Sequence, residues 1–179
     1  NDKLTDDKLT DDKLNLLLKF IGFIDGDGYI RVTKKSKLNK NKMLIDSPPM
    51  GGDISPKGID YIYISLVINL NENELDLLNY FKSELNIGNV YCITPKKGNK
   101  LARLEINKTD LKNKLLPLLN KYDIHFLTLT RQKQYLLMKY IFENNIIFYK
   151  DIINNDKINN YIENNIIKYD FDKLYYFNY

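Results

Sequence analysis

The nine residues Phe20-Ile-Gly-Phe-Ile-Asp-Gly-Asp-Gly28 end an apolar helical pattern in two acids placed on a sharp turn. Apolar residues approach this turn at the three- and four-residue steps of one helical face, namely Leu14, Leu17, Leu18, Ile21 and Ile24. The pattern predicts a helix that is capped by Asp11 or Asp12 and stops within residues 25–28. Residues 1–11 carry a five-residue repeat, DKLTD, that fits neither helix nor strand, and they are predicted to be a low-complexity lead-in.

Three familiar loop motifs do not fit the turn. An EF-hand loop starting at Asp25 would end in Glu at position 36, where the chain has Ser36. A phosphate-binding loop needs Gly-Lys-Ser/Thr, and dinucleotide-binding glycines precede a helix rather than follow one. Two interpretations stay open: a plain helix end, or an acidic site for a hard divalent cation. Gly22 favours a special role, because a mid-helix glycine costs about 1 kcal/mol relative to alanine and lets a second helix approach closely.

The sequence after the turn predicts four strands, at residues 29–37, 59–70, 89–94 and 101–106. Helices are predicted at 72–85, from a cap at Asn107 or Thr109 to Leu119 with an interruption at Pro117, and at 131–144 after a cap at Thr128 or Thr130. Residues 38–58 are a long, irregular, Pro- and Gly-containing connection. The order predicts an α+β domain at 12–145, of αββαββα type, in which helices back a curved four-stranded antiparallel sheet. Residues 146–179 are a predicted helical or linker extension.

Polar, aromatic and basic residues alternate with apolar ones along these strands, so they would share the front face of the sheet. They are Arg31, Thr33, Lys35, Lys37, Tyr61, Tyr63, Ser65, Asn69, Tyr91 and Arg103. Cations of this kind contact phosphates, while amides and hydroxyls contact base edges. The face is therefore predicted to bind nucleic acid, although the solvated side of any antiparallel sheet has a similar composition. Lys97 and Lys100, in the turn before the fourth strand, are predicted phosphate contacts or, equally, a charged turn.

Composition excludes several classes of function. One Cys and one His rule out a disulfide framework and a Cys-rich zinc site, and no nucleophile elbow accompanies His125. No apolar run reaches the 18 or more residues of a transmembrane helix, and the N-terminus does not read as a signal peptide. The net charge of +4 permits a nucleic-acid partner. Among 179 residues, 24 Lys, 23 Asn and 22 Ile indicate an A/T-rich genome, so the mitochondrial matrix or another organelle is the expected location.

Residues 20–28 resemble the motif of the LAGLIDADG homing endonucleases and their intron-maturase relatives. Gly22, Ile24, Asp25, Asp27 and Gly28 agree with the nine-residue motif; Phe20, Phe23 and Gly26 are common replacements, and Ile21 is bulkier than the usual Ala. With the element order, the resemblance covers residues 12–143. It implies site-specific cleavage of double-stranded DNA by metal-assisted phosphodiester hydrolysis. The alternative is an RNA-binding group I intron maturase, or a module recruited into a ribonucleoprotein, without cleavage activity.

The resemblance also implies roles for individual residues. Asp27 would bind Mg²⁺ or another divalent cation near the scissile phosphate, with the carbonyl of Gly26 as a further ligand. Arg131, with Lys133 as the second candidate, would stabilise charge on the phosphate or orient water; a solvated cation in a helix's first turn is the alternative. Asn69 or Asn71, at the end of the second strand, would orient the water network.

The motif helix would also pack against the motif helix of a second repeat, through Leu18, Ile21, Gly22 and Asp25, and Asp25 would end the helix and fix its turn. The chain contains one such motif. A two-site enzyme would therefore need either a homodimer of this chain or a second, C-terminal half in a two-motif protein.

Overall fold

One antiparallel sheet in the order β1–β2–β4–β3 forms the centre of the computed structural model, which describes residues 2–36, 60–96 and 98–169 (backbone alone for 2–10 and 36). Its strands are β1 (Gly28–Ser36), β2 (Asp60–Asn71), β3 (Asn89–Ile93) and β4 (Leu101–Asn107). The predicted α+β fold with a four-stranded antiparallel sheet is confirmed, and each strand end lies within one residue of its prediction. Among the described residues, no helix has the length and apolar composition needed to cross a bilayer.

Six α-helices flank the sheet in the described part of the chain. They are α1 (Asp2–Asp27), α2 (Leu75–Leu85), α3 (Lys108–Asp110), α4 (Leu116–Lys121), α5 (Leu129–Glu143) and α6 (Asp156–Asn165). The side chain of Thr128 accepts a hydrogen bond from the backbone N–H of Arg131, and that of Asn107 accepts one from Asp110. Of the predicted cap pairs, Thr128 and Asn107 are therefore the caps.

The start of α1 differs from the prediction. The helix begins at Asp2 rather than at Asp11 or Asp12, so the repeat of the lead-in is helical. Residues 2–14 contain neither Gly nor Pro, and six of the thirteen are Lys or Leu, which favour helices more than the Asp and Thr between them. Such residues extend an existing helix without needing an apolar face, because propagation adds one hydrogen bond per residue. The helix ends at Asp27, within the predicted range of residues 25–28.

Pro117 produces the predicted interruption between α3 and α4. A π-helical turn, Leu111–Leu115, joins the two helices, and Pro117 lies in the first turn of α4. A proline has no N–H to donate, and its ring collides with the carbonyl four residues earlier, which is that of Asn113. The π-helical turn falls at this carbonyl and turns the chain without a complete break.

The core lies between the sheet and the helices behind it. The largest fully buried side chains of α1 are Leu17, Phe20 and Ile24, and those of β2 are Ile64, Leu66 and Ile68. The rings of Phe20 and Phe81 lie 5.1 Å apart, which joins α1 to α2. Burying aliphatic and aromatic side chains of this size contributes about 1.5–3 kcal/mol each. The core thus fixes α1, and with it the turn at residues 25–28, against the first two strands.

Residues 146–169 of the predicted extension pack onto the domain and contain one α-helix, α6. A 3-10 turn, Tyr149–Asp151, precedes α6. The backbone N–H of Ile62 donates to the carbonyl of Ile147 over 2.9 Å, and Ile158 of α6 is 3% exposed. The extension therefore packs against the core of the domain. The boundary at residue 145 remains a prediction from sequence.

Candidate functional site

Asp27, the last residue of α1, lies exposed where the helix meets the sheet. Gly28 follows at once as the first residue of β1 and pairs with Ile68. A Cβ atom on Gly28 would lie 2.8 Å from the Cα atom of Ile24, a separation that real Cβ atoms do not show. Glycine at position 28 therefore permits the tight helix-to-strand passage that holds Asp27 at the edge of the sheet.

Asp25 holds the start of α5. One carboxylate oxygen accepts hydrogen bonds from the backbone N–H and the hydroxyl of Thr128, over 3.0 and 2.8 Å. The other accepts from the backbone N–H of Leu127 over 2.8 Å. The role implied for Asp25, ending the helix, is therefore wrong, because the helix passes through it. Its carboxylate is instead used to join two elements of its own chain.

Arg131 lies at the same junction, in the first turn of α5. Its Nε donates to the backbone carbonyl of Ile24 over 3.0 Å, and its Nη1 donates to Gln134 Oε1 over 3.3 Å. Gln134 Oε1 also accepts from the backbone N–H of Ile30 over 2.9 Å. A cation here meets the negative end of the α1 dipole. Arg131 therefore ties α1, α5 and β1 together beside Asp27.

Lys133, the second candidate cation, lies elsewhere. It lines an open groove of about 830 Å³ together with Leu127, Leu129 and Glu163, and it is exposed. Asn69 follows Ile68, the partner of Gly28, so it lies at the end of the sheet where α1 stops. Its Oδ1 accepts from Arg103 Nε over 2.8 Å. The structure thus brings Asp27, Asn69 and Arg131 to one end of the sheet and leaves Lys133 apart.

A metal at this site would have few protein ligands from the chain itself. The described residues hold no group of three or more His, Cys, Asp or Glu side chains arranged for a metal ion. Magnesium, however, is commonly bound by one or two carboxylates together with water and substrate phosphate oxygens. The exposed carboxylate of Asp27 and the carbonyl of Gly26 fit such a site as its protein part.

Pairing across the strands places the predicted nucleic-acid residues on one face. Directly opposed residues point to the same side, and the pairs are Arg31 with Ser65, Thr33 with Tyr63, Lys35 with Tyr61, and Arg103 with both Asn69 and Tyr91. Lys100 is exposed just before β4, whereas Lys37, Lys97 and the whole 38–58 connection lie outside the described residues. Ser65 is fully buried, because Arg31 lies over it and donates to its hydroxyl over 3.2 Å. The expectation that Ser65 contacts a ligand directly is therefore wrong.

Sequence reasoning missed Glu105, which lies in the middle of this face. Its Oε1 accepts from Arg31 Nη2 over 3.1 Å and from the Tyr63 hydroxyl over 3.0 Å, and its Oε2 accepts from the Tyr91 hydroxyl. The hydrogen bond from Tyr91, followed by those from Tyr63 and Ser65 and the charge of Arg31, outweighs burial and lowers the pKa of Glu105. Burial first, and then the bond to Glu105, raise the pKa of Tyr91. The alternation Arg103, Glu105, Asn107 was the available signal.

A second exposed surface runs along α1. Leu18 is 48% exposed, and Gly22 and Gly26 follow it at four-residue steps, both exposed. A Cβ atom on either glycine would meet nothing within 4 Å. Ile21, expected on this surface, is 4% exposed and belongs to the core, because it faces the sheet rather than outward. The described part of the chain therefore gives no steric reason for glycine at positions 22 and 26.

Comparison with known proteins identifies one family. Residues 20–142 match the family model described as LAGLIDADG endonuclease. Among solved structures, meganuclease I-SmaMI bound to uncleavable DNA shares 22% identity with a TM-score of 0.50, over 73% of this chain and 37% of that one. The group I intron-encoded homing endonuclease I-CeuI, complexed with DNA, shares 18% identity with a TM-score of 0.52, over 73% of this chain and 56% of that one. At these identities the likeness is one of fold, and the chain spans about a third to just over a half of the relatives' length.

Proposed function

The chain belongs to the LAGLIDADG endonuclease family, and from this we propose that it is one functional half of a site-specific, double-strand DNA endonuclease of the homing type. One observation carries the proposal. An exposed carboxylate, Asp27, is fixed by backbone geometry at the end of a polar, basic sheet face. A DNA duplex lying on that face would bring its phosphates to this carboxylate, so recognition and cleavage would be served by adjoining surfaces.

Asp27 and the Gly26 carbonyl would hold Mg²⁺ or another divalent cation. When bound, the metal supplies an activated water and stabilises charge on the leaving oxygen. The other residues position this carboxylate. Asp25 and Arg131 lock the end of α1 to the start of α5, and the Arg131 guanidinium brings positive charge to the same end of the sheet, where a phosphate oxygen would carry negative charge. The Asn69 amide, oriented by Arg103, would contact water or phosphate at that end.

The sheet face would contact the DNA. Lys35 and Lys100 are exposed cations suited to phosphate oxygens, which fix the register of a protein on a duplex. Arg31, Tyr91 and Arg103 lie on β1, β3 and β4, on the face from which side chains would reach base edges in the major groove. The face holds a shallow depression of about 370 Å³ that Arg31, Thr33, Lys35 and Tyr63 line. It can therefore combine positioning contacts with base contacts.

A second repeat would complete the enzyme. Cutting two strands needs two metal sites, and this chain supplies one motif. Exposed glycines at positions 22 and 26 let the backbone of another helix approach closely, and Leu18 adds an apolar contact on the same side. The partner would be either a second copy of this chain or a C-terminal half of the same protein.

Cleavage of DNA tests the proposal. The full chain is incubated with Mg²⁺ and a large library of duplex DNA, and new ends are mapped by sequencing. We expect cuts at a defined site for the wild type, none for Asp27→Asn, and unchanged cutting for the matched control Asp76→Asn, an exposed acid on α2. A wild type that never cuts duplex DNA but binds a group I intron RNA tightly would overturn the proposal and assign the maturase function instead.

A further inference from the structure

The side chain of Glu105 occupies the centre of a face that should attract phosphates. It lies on β4 opposite Val67 of β2 and Asn89 of β3, and 18% of its side chain is exposed. A negative charge there weakens non-specific attraction to DNA, which is dominated by phosphate contacts. A residue that only made the surface basic would not be an acid at this position.

Glu105 binds three side chains that themselves belong to the face. Arg31, Tyr63 and Tyr91 all donate to its two oxygens. These donors come from three different strands, β1, β2 and β3, while Glu105 is on β4. A carboxylate accepts up to about four hydrogen bonds and donates none. One side chain thus fixes one predicted DNA contact from each of the other strands.

The position of Arg31 leaves one of its hydrogen-bond donors unpaired among the described residues. Its Nε is buried and has no acceptor among the described residues, while Nη2 is shared between Ser65 and Glu105. Leaving a buried donor unpaired costs stability. The guanidinium also lies over the Tyr63 ring, 5.4 Å from its centroid. The plane of Arg31 is therefore held from below by Tyr63 and from the side by Glu105.

A held arginine and a mobile arginine recognise different parts of DNA. A guanidinium held in one plane presents its outward N–H groups in one direction and so favours a particular base-edge acceptor, whereas a freely moving guanidinium pairs with any phosphate. Fixing the side chain beforehand also lowers the entropy lost on binding.

We propose that Glu105 is a specificity-determining positioning residue, which holds Arg31, Tyr63 and Tyr91 in the arrangement that reads base edges and withholds Arg31 from phosphates. The inference rests on the proposed function, because it presumes that this face binds duplex DNA. It adds that an acid sets the balance between sequence-specific and non-specific binding.

The test compares two affinities of the full-length protein. A preferred duplex is first selected from a randomised duplex DNA library with the wild type, in Ca²⁺ or without metal so that binding is measured apart from cleavage. Affinity is then measured for this duplex and for a scrambled duplex of the same composition. In Glu105→Gln we expect tighter binding of the scrambled duplex and a fall of roughly 10-fold or more in the ratio of the two affinities, the size of one lost hydrogen bond to a charged group.

Glu84→Gln is the matched control. Glu84 is exposed on α2, which packs behind the sheet, and the substitution makes the same change in net charge. Both affinities should rise by the same small factor, so that their ratio stays constant. If Glu105→Gln fails to fold, Tyr91→Phe and Tyr63→Phe each remove one donor to Glu105, and each should lower the ratio by about threefold or more.

Three results separate the inference from the function on which it rests. A wild type that selects no sequence and binds no duplex overturns both. A selective wild type whose ratio is unchanged in Glu105→Gln, or in the tyrosine variants, overturns the inference and leaves the proposed function standing. A loss of folding stability with an unchanged ratio shows that Glu105 stabilises the sheet only, which also overturns the inference.

Discussion

Asp25 near the end of α1 and Arg131 in the first turn of α5 hold the two helices together. The Asp25 carboxylate, near the end of α1, accepts hydrogen bonds from the residues that start α5, and Arg131, in the first turn of α5, donates to the carbonyl of Ile24 in α1. An anion thus meets the positive end of one helix dipole and a cation meets the negative end of the other. The metal-binding candidate Asp27 lies two residues beyond this junction and is positioned by it.

Removing the Asp25 carboxylate should destabilise the fold. Asp25→Ala deletes the acceptor of three hydrogen bonds at the start of α5, and we expect the free energy of unfolding to fall by about 0.5–2 kcal/mol, the range for a lost helix cap. Asp27→Ala is the control, because its exposed side chain should change stability by no more than about 0.5 kcal/mol. Urea denaturation measures both. Equal losses in the two variants would contradict the separation of roles.

Replacing Arg131 by lysine tests its positioning role. Lysine keeps the charge but has no planar fork to bond Ile24 and Gln134 together. Because small displacements of catalytic groups are costly, we expect cleavage by Arg131→Lys to slow by about 100-fold while duplex binding stays unchanged. Lys82→Gln, on the exposed side of α2, is the control for Lys133→Gln, because both variants remove a cation. A larger effect from Lys133→Gln than from Arg131→Lys would assign the catalytic cation to Lys133.

The glycines of the motif should respond in opposite ways. Gly28→Ala places a Cβ atom against the backbone of Ile24 and should lower the free energy of unfolding by about 1–3 kcal/mol. Gly22→Ala meets open space and should raise helix stability by up to about 1 kcal/mol, while weakening association with a second repeat. Denaturation measures the first effect and sedimentation velocity the second. A Gly22→Ala chain that associates like the wild type would exclude Gly22 from the interface.

The charge of Glu105 should make stability depend on pH. Its pKa is lowered in the folded state, chiefly by the hydrogen bond from Tyr91, so the ionised form stabilises the fold above the ordinary glutamate pKa. This contribution should disappear as the pH falls through the lowered folded pKa. Free energies of unfolding of wild type and Glu105→Gln, measured from neutral to acid pH, should therefore converge at the acid end. A difference that stays constant with pH would contradict the assignment.

Gln132 should hold the C-terminal extension in place. Its buried side chain accepts from the backbone N–H of Ile167 over 2.8 Å and donates to the carbonyl of the same residue over 3.2 Å. In Gln132→Leu both backbone groups lose their partner, which should cost about 1–3 kcal/mol. The backbone amides of α6 should also exchange faster in this variant than in the wild type. Tyr169→Phe, which loses one bond to the carbonyl of Phe126, should show a smaller effect in the same direction.

The strands and their shared face were predictable because alternation is a local signal. The apolar neighbours of Thr33 and Tyr63 indicate which side of the sheet each residue faces. The glycines at positions 26 and 28 indicate the turn at residues 25–28. Caps such as Thr128 were predictable as one of two candidates, since the residue type is local while the choice depends on packing.

What could not be predicted depends on contacts between distant parts of the chain. The Asp25 carboxylate meets Leu127 across 102 residues, and no periodic pattern records such a pairing. Glu105 was not among the residues predicted for the face, because only the folded sheet places donors from three strands around it. The helical lead-in was missed for the opposite reason, because a helix that continues an existing one needs no apolar stripe to reveal it.

The glycines at positions 22, 26 and 28 also bear on the evolutionary history of the chain. The chain's own backbone demands glycine at position 28, whereas nothing in its described part demands it at 22 or 26. In a lineage that gave up its second repeat, selection would keep Gly28 and let Gly22 drift toward a better helix former. Chains of this family that carry both glycines would then be expected where a partner repeat was kept, and the pattern would record that history without any structure of the complex.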